Sequence, residues 1–281
     1  MLLLNFVCKM KHLLFILFLA PLLIVSQEKP ELIFDKYMDG NTTVIYADNN
    51  EFCPVSVEYK YSGENVKSSL ANKSIIVVPA EAKKFIISRI DSENKTKGFS
   101  YSYNVVYAFG DMNAKPSDSE EVYWLPYATG TSQSIYQGYN GKFSHQNAYA
   151  LDFSHKSGTE IFAARSGKVI TTKSDSDQSC LSKDCAKFNN KIIILHDDGT
   201  FAEYAHLKKN GAIVNKGDDV KQGQLVGYSG NTGWSNGPHL HFSVFSNHID
   251  SERTYYKTKF RVKGSPEPIY LQEKQKYTRD Y

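Results

Sequence analysis

From Thr42 to Phe109 the hydrophobic and polar positions read as strand after strand, in places with a period of two. Val55-Ser-Val-Glu-Tyr-Lys-Tyr61 is the clearest case: its apolar side chains would all face one way on an extended backbone. Ser74–Val78, Lys83–Ile90 and Ser100–Phe109 are further β-branched or aromatic runs, separated by Asn and Gly clusters. Short strands at this spacing predict a small immunoglobulin-like β-sandwich over residues 27–112. The polar stretch Asp111–Glu121 contains Pro116 and predicts a linker, placed at residues 113–122. A second strand-rich region follows over residues 123–250. Its candidate strands are Ala148–Phe153, Glu160–Ala164, Lys168–Thr172, Lys191–His196, Phe201–Leu207 and Leu240–Phe245. Glycines between these runs supply turns for an antiparallel sheet. Residues 251–281 form a charged, aromatic C-terminal extension, expected to add a strand or wrap the sheet. No long amphipathic helix is visible, so the predicted class is all-β.

The N-terminus follows a different pattern. Leu13 to Val25 is apolar apart from Pro21, with Lys9 and Lys11 before it and the small Ser26 after it. The run is short for a bilayer span and suits a signal peptide over residues 1–26, which predicts export. An uncleaved anchor is the alternative. Met10 followed by Lys11 is a more usual start than Met1, and the lack of a Cys just after the apolar run argues against a lipid anchor.

Composition narrows this picture only a little. Of 281 residues, 41% are hydrophobic and 22% charged, as in an ordinary globular protein. The net charge is +3, and it falls to +1 once residues 1–26, with two lysines and no acids, are removed. Nothing here predicts nucleic-acid binding. Beyond residue 26 the cysteines are Cys53, Cys180 and Cys185. In an oxidising compartment Cys180 and Cys185 can close a short loop, which leaves Cys53 over and buried.

The histidines mark where chemistry belongs, since one lies before residue 145 and seven lie from His145 to His248. In His239-Leu240-His241 two imidazoles at i and i+2 share one face of a strand, and Leu240 and Phe242 turn to the core. Two such rings beside a glycine-rich turn suit a metal site. His206 shares its predicted strand face with Ala202 and Tyr204; alone, it reads as a structural histidine. Asp152 lies in an apolar strand, where a carboxylate is costly unless paired or metal-bound. His145 precedes it by seven residues, an odd number, so Gln146-Asn147 must turn or bulge if both are to reach one ion. His155 and His248 are expected to be exposed and His196 structural. No His-Glu-x-x-His is present. Gly233-Trp-Ser-Asn-Gly237 matches Gly-x-Ser-x-Gly, but a strand-like Pro-His-Leu-His follows it and no acid then His lies downstream, so Ser235 is not expected to be a nucleophile.

Together, Asn147-Ala-Tyr-Ala-Leu-Asp-Phe153, Gly158-Thr159, Tyr204-Ala-His-Leu207, Gly217 with Val220 and Gly223, and Gly230-Asn-Thr-Gly-Trp-Ser-Asn-Gly-Pro-His-Leu-His-Phe242 resemble the lysostaphin/LytM-type zinc metallopeptidases, metallopeptidase family 23. The resemblance covers roughly Tyr123 to Phe245, about half of the chain. It implies an antiparallel sheet with an open groove and one zinc ion held by His145, Asp152 and His241. His206 and His239 would be the catalytic histidines. Ser243 stands where the family often has an acid, and His155-Lys156 replace a Met-Pro-like turn; both bear on substrate preference. The implied activity is peptide-bond hydrolysis in peptidoglycan cross-links or stem peptides, by an exported protein with no membrane anchor after cleavage. Two alternatives stand beside it: an inactive wall-binding or regulatory protein, and a secreted endopeptidase acting on proteins.

Overall fold

The computed structural model describes residues 29–114, 121–249 and 252–281. The signal-peptide prediction and most of the predicted linker lie outside the described residues. What is described is almost entirely β-structure, and the one helical piece is a 3-10 turn, Lys183–Phe188.

Seven strands lie between Leu32 and Phe109. Four form one sheet and three another, and the two share a core that includes Ile45, Val57, Tyr59 and Ile90. The period-two pattern from Val55 to Tyr61 belongs to the strand Val55–Glu64, in which Val55, Val57 and Tyr59 are fully buried. Two sheets on one core are what this region presents; the expected immunoglobulin-like connectivity goes further than that.

The second region is built on a nine-stranded sheet. Its central order runs Gly167–Lys173, Lys191–Leu195, Phe201–Ala205, Leu240–Ser246, Ala150–Phe153, Ser132–Gln137, with every adjacent pair antiparallel. Lys191-Ile-Ile-Ile-Leu195 shows why the sheet is buried on both faces. Ile192 and Ile194 enter the main core, while Ile193 joins a second cluster with Cys53, Ile170, Phe201 and Phe245. Leu240, Phe242 and Val244 also enter the main core, which leaves His241, Ser243 and Phe245 on the other face. That second face is divided along its length. At one end it meets Cys53 and Phe109 from the N-terminal region; at the other it carries His241.

The C-terminal extension adds strands, one of the two outcomes expected of it. Thr254–Tyr256 pairs with Leu240–Ser246, and Lys276–Thr278 pairs with Ser132–Gln137. Arg279 is buried, donates to the carbonyls of Leu125 and Tyr127, and lies over the rings of Trp124, Phe162 and Tyr281. Cys180 and Cys185 form a disulfide, and Cys53 is free and buried.

Candidate metal centre

Three ligand-type side chains converge at the end of the sheet face that carries His241. Asp152 and His241 are direct cross-strand partners, and Asp152 Oδ1 lies 3.0 Å from His241 Nδ1. His145 arrives from outside the sheet. A turn returns the chain from the His145 carbonyl to the Ala148 N–H at 3.0 Å, and Asn147 takes φ +59, a conformation Asn tolerates better than most residues. This turn resolves the odd spacing to Asp152, and His145 Nε2 comes within 3.2 Å of both Asp152 Oδ1 and His241 Nδ1. The three donor atoms lie within 4.8 Å of one another.

The chemistry of the donor set fits a cation. His145 Nδ1 contacts the Gly138 carbonyl at 2.9 Å; a carbonyl only accepts, so this nitrogen carries the ring proton. In the neutral ring Nε2 then presents a lone pair to a carboxylate oxygen, acceptor against acceptor, which an ion among the three donors relieves. Two imidazoles and one carboxylate also make the donor count of an open tetrahedral zinc site. Gln137, which pairs in register with Asp152, donates from Nε2 to Asp152 Oδ2 at 3.1 Å and fixes the second oxygen. Burial opposes the charge on Asp152, but the imidazoles of His145 and His241 beside it outweigh it and hold the carboxyl far below its usual range. Burial likewise disfavours a His241 cation, and the contact with Asp152 outweighs it and raises that pKa.

His206 and His239 stand beside these three. Their ring centroids are 4.5 Å apart, and the His206 ring lies 5.9 Å from that of His241. The expectation that His206 shares a face with Ala202 and Tyr204 is not met: those two enter the main core. The strand ends at Ala205, and His206 has φ +63, a left-handed conformation that breaks the alternation and turns its ring to the other side. His206 Nδ1 donates to Thr232 O at 2.7 Å and His239 Nδ1 to Gly237 O at 2.8 Å, so in the neutral rings both Nε2 atoms are free acceptors. Burial, with His239 and His241 nearby, pushes His206 down to about 3. Burial lowers His239 too, against the pull of Asp152.

The remaining candidates separate clearly. Ser235 Oγ lies 3.3 Å from His239 Nδ1, but that nitrogen already donates to Gly237, so no base faces the hydroxyl. His196 is buried and bonded to Ser166 O, in keeping with a structural role. His248 is half-buried and bonded to Thr254 rather than freely exposed. His155 is also not exposed. It is packed between Tyr127 and Phe153 with neither ring nitrogen bonded, because apolar walls close over its polar turn. Sequence reasoning missed Gln137 and Tyr136, whose ring lies 6.1 Å from His239 and whose hydroxyl accepts from Asn236. Only strand register, which a lone sequence does not display, brings Gln137 to Asp152.

Residues 146–252 match the model of peptidase family M23. Over 102 residues the chain is 35% identical to the glycyl-glycine endopeptidase ALE-1 of Staphylococcus capitis, covering 36% of this chain and 25% of that protein. It is 36% identical over 100 residues to lysostaphin of Staphylococcus simulans, covering 35% and 18%. It is 33% identical over 93 residues to the peptidoglycan DD-endopeptidase ShyA of Vibrio cholerae, covering 33% and 19%. The chain thus spans a quarter or less of the length of these relatives. The solved catalytic domain of lysostaphin from Staphylococcus simulans matches 43% of this chain and 83% of that domain at 31% identity, with a TM-score of 0.33. Asp152, His206, His239 and His241 fall inside the family match and His145 stands immediately before it. Residues 146–252 of this chain are a domain of peptidase family M23, homologous to the lysostaphin-type endopeptidases.

Proposed function

We propose that the chain is an exported zinc metalloendopeptidase that hydrolyses peptide bonds in peptidoglycan cross-links or stem peptides. The observation that carries this reading is the meeting of His145, Asp152 and His241 with the paired rings of His206 and His239 on one end of a sheet face. The names of the relatives, as endopeptidases and as peptidoglycan enzymes, favour the same substrate class.

His145 Nε2, Asp152 Oδ1 and His241 Nδ1 would hold the ion. Zinc, when bound, supplies Lewis acidity that polarises the scissile carbonyl and acidifies water. The chain's own groups do the rest. Neutral His206 and His239 offer Nε2 lone pairs, orient the attacking water and take its proton. The protonated ring then stabilises the tetrahedral oxyanion or returns the proton to the leaving amine. Thr232 O and Gly237 O keep both rings in the tautomer this requires. The N-terminal strands would hold the groove away from, or against, wall polymer. Among the described residues no helix is long and apolar enough to cross a membrane.

The test is mass spectrometry of purified peptidoglycan treated with zinc-loaded and chelated protein, beside a glycine-rich protein substrate. New amino termini from peptidoglycan, lost with chelator, are expected. Cleavage of the protein alone moves the substrate class, and no new termini with loaded protein overturns the hydrolase reading.

A further inference from the structure

The Cys180–Cys185 disulfide closes a short loop whose second cysteine lies in the 3-10 turn Lys183–Phe188, and Asn189 caps the end of that turn. Asn189 is where this stretch meets His206. Its Oδ1 accepts the backbone N–H of His206 at 2.9 Å. Its backbone and Cβ also press on Gly233, where an added Cβ would lie 2.7 Å from Asn189 Cβ. Gly233 follows Thr232, whose carbonyl accepts the His206 ring proton. The disulfide loop is stitched to that same segment: Ser179 and Cys180 pair with Gly233 and Trp234, and Trp234 Nε1 donates to Leu181 O at 3.0 Å. His206 is therefore held at its main chain and at its ring by two segments that the bridged stretch 179–189 connects.

The backbone of His206 makes this hold consequential. A non-glycine residue at φ +63 is disfavoured and persists only where its surroundings require it. If residue 206 relaxed to the extended conformation of the preceding strand, its ring would swing to the core face with Tyr204. An acceptor on the His206 N–H opposes that relaxation, because losing it would leave a buried donor unpaired.

We infer that Asn189 is a positioning residue for His206, and that the Cys180–Cys185 bridge braces Asn189. This rests on the proposed role of His206 in proton transfer. It assigns the disulfide to catalysis rather than to metal binding.

The experiment uses the full zinc-loaded chain with Asn189→Ala, Asn189→Asp and the double variant Cys180→Ser/Cys185→Ser. Zinc content, kcat and KM on a peptidoglycan fragment, and hydrogen exchange of the His206 amide by ¹⁵N-histidine NMR are read together. Asn189→Ala is expected to keep its zinc, to lose about tenfold or more in kcat with little change in KM, and to exchange the His206 amide about tenfold faster. Asn189→Asp, which keeps the acceptor oxygen, should restore most of kcat. The double serine variant should move kcat and exchange in the same direction. A phosphine reductant, which becomes its oxide as the two thiols form, should do so in the wild type and leave the serine variant unchanged. Wild-type kcat and exchange in Asn189→Ala overturn the inference, as does a loss confined to zinc or KM, or a failure of Asp to rescue. If the wild type cleaves nothing, the proposed function fails, and His206 exchange alone decides this inference. If Asn189→Ala does not fold, the same measurement on the double serine variant decides it.

Discussion

Asp152 and His241 face one another across two antiparallel strands, so a single backbone register sets the contact of 3.0 Å between carboxylate and imidazole. Removing the charge without changing the shape tests what that register is for. Asp152→Asn should weaken zinc binding by about a hundredfold or more, and Gln137→Ala, which removes the donor to Asp152 Oδ2, by about tenfold. Competition against a chromogenic chelator measures both. Wild-type affinity in Asp152→Asn would remove Asp152 from the ligand set.

His206 and His239 lie next to the three donors without belonging to the ligand triangle. His206→Ala and His239→Ala should each keep zinc and lower kcat by about 10²–10⁴-fold. Zinc analysis beside steady-state kinetics separates the two roles. If either variant loses its metal instead, that histidine is a ligand.

His155 makes a prediction about stability alone. Burial pushes it down to about 4 from 6.5, so as pH falls the unfolded chain takes up a proton before the folded one does. The penalty linked to protonation is therefore absent above pH 6.5, and stability declines between 6.5 and 4. His155→Phe fills the same aromatic site, removes two unbonded nitrogens, and should stabilise by about 1–3 kcal/mol at pH 5 and less at pH 7. Urea unfolding at the two values checks this; equal changes at both would mean that burial of the imidazole is not the cause.

These outcomes bear on what could be read in advance. The Ser74–Val78 and Ser100–Phe109 strands coincide with their β-branched and aromatic runs, because that strand signal is local. The side-chain alternation of Leu240 and Phe242 against His241 was legible for the same reason. His206 departs from the alternating pattern because one left-handed residue ends it, and nothing in Ala-His-Leu announces that. His155 is buried although its turn is polar in sequence, because Tyr127 comes from a distant segment to close over it with Phe153. The partnership of Gln137 with Asp152 depends on pairing between distant segments, which one sequence does not carry.

Glu203 and Arg253 form an ion pair at 2.7 Å on the same sheet face, with Arg253 over the Phe245 ring. Burial opposes the Glu203 charge, but Arg253 foremost, with Lys191 and His241, outweighs it and brings the group down to about 2. Arg253→Ala strands that carboxylate and should destabilise by about 3–5 kcal/mol, whereas the double variant Arg253→Met/Glu203→Gln should cost much less. Chemical denaturation measures both; equal losses would show that packing, not charge, holds the site.

The docking of the C-terminal extension has a consequence in time. Thr129 Oγ1 bonds to the Tyr281 carbonyl across 152 residues, and Lys276–Thr278 supplies the neighbour that Ser132–Gln137 needs on its outer edge. A chain emerging from the ribosome has made all five histidine and aspartate groups of the centre long before it has made that neighbour. Closure over such separations is slow and comes after synthesis of Lys276–Thr278. On the proposed function, the nascent polypeptide carries these five groups on an unfinished sheet, and hydrolysis should appear only once the tail has locked.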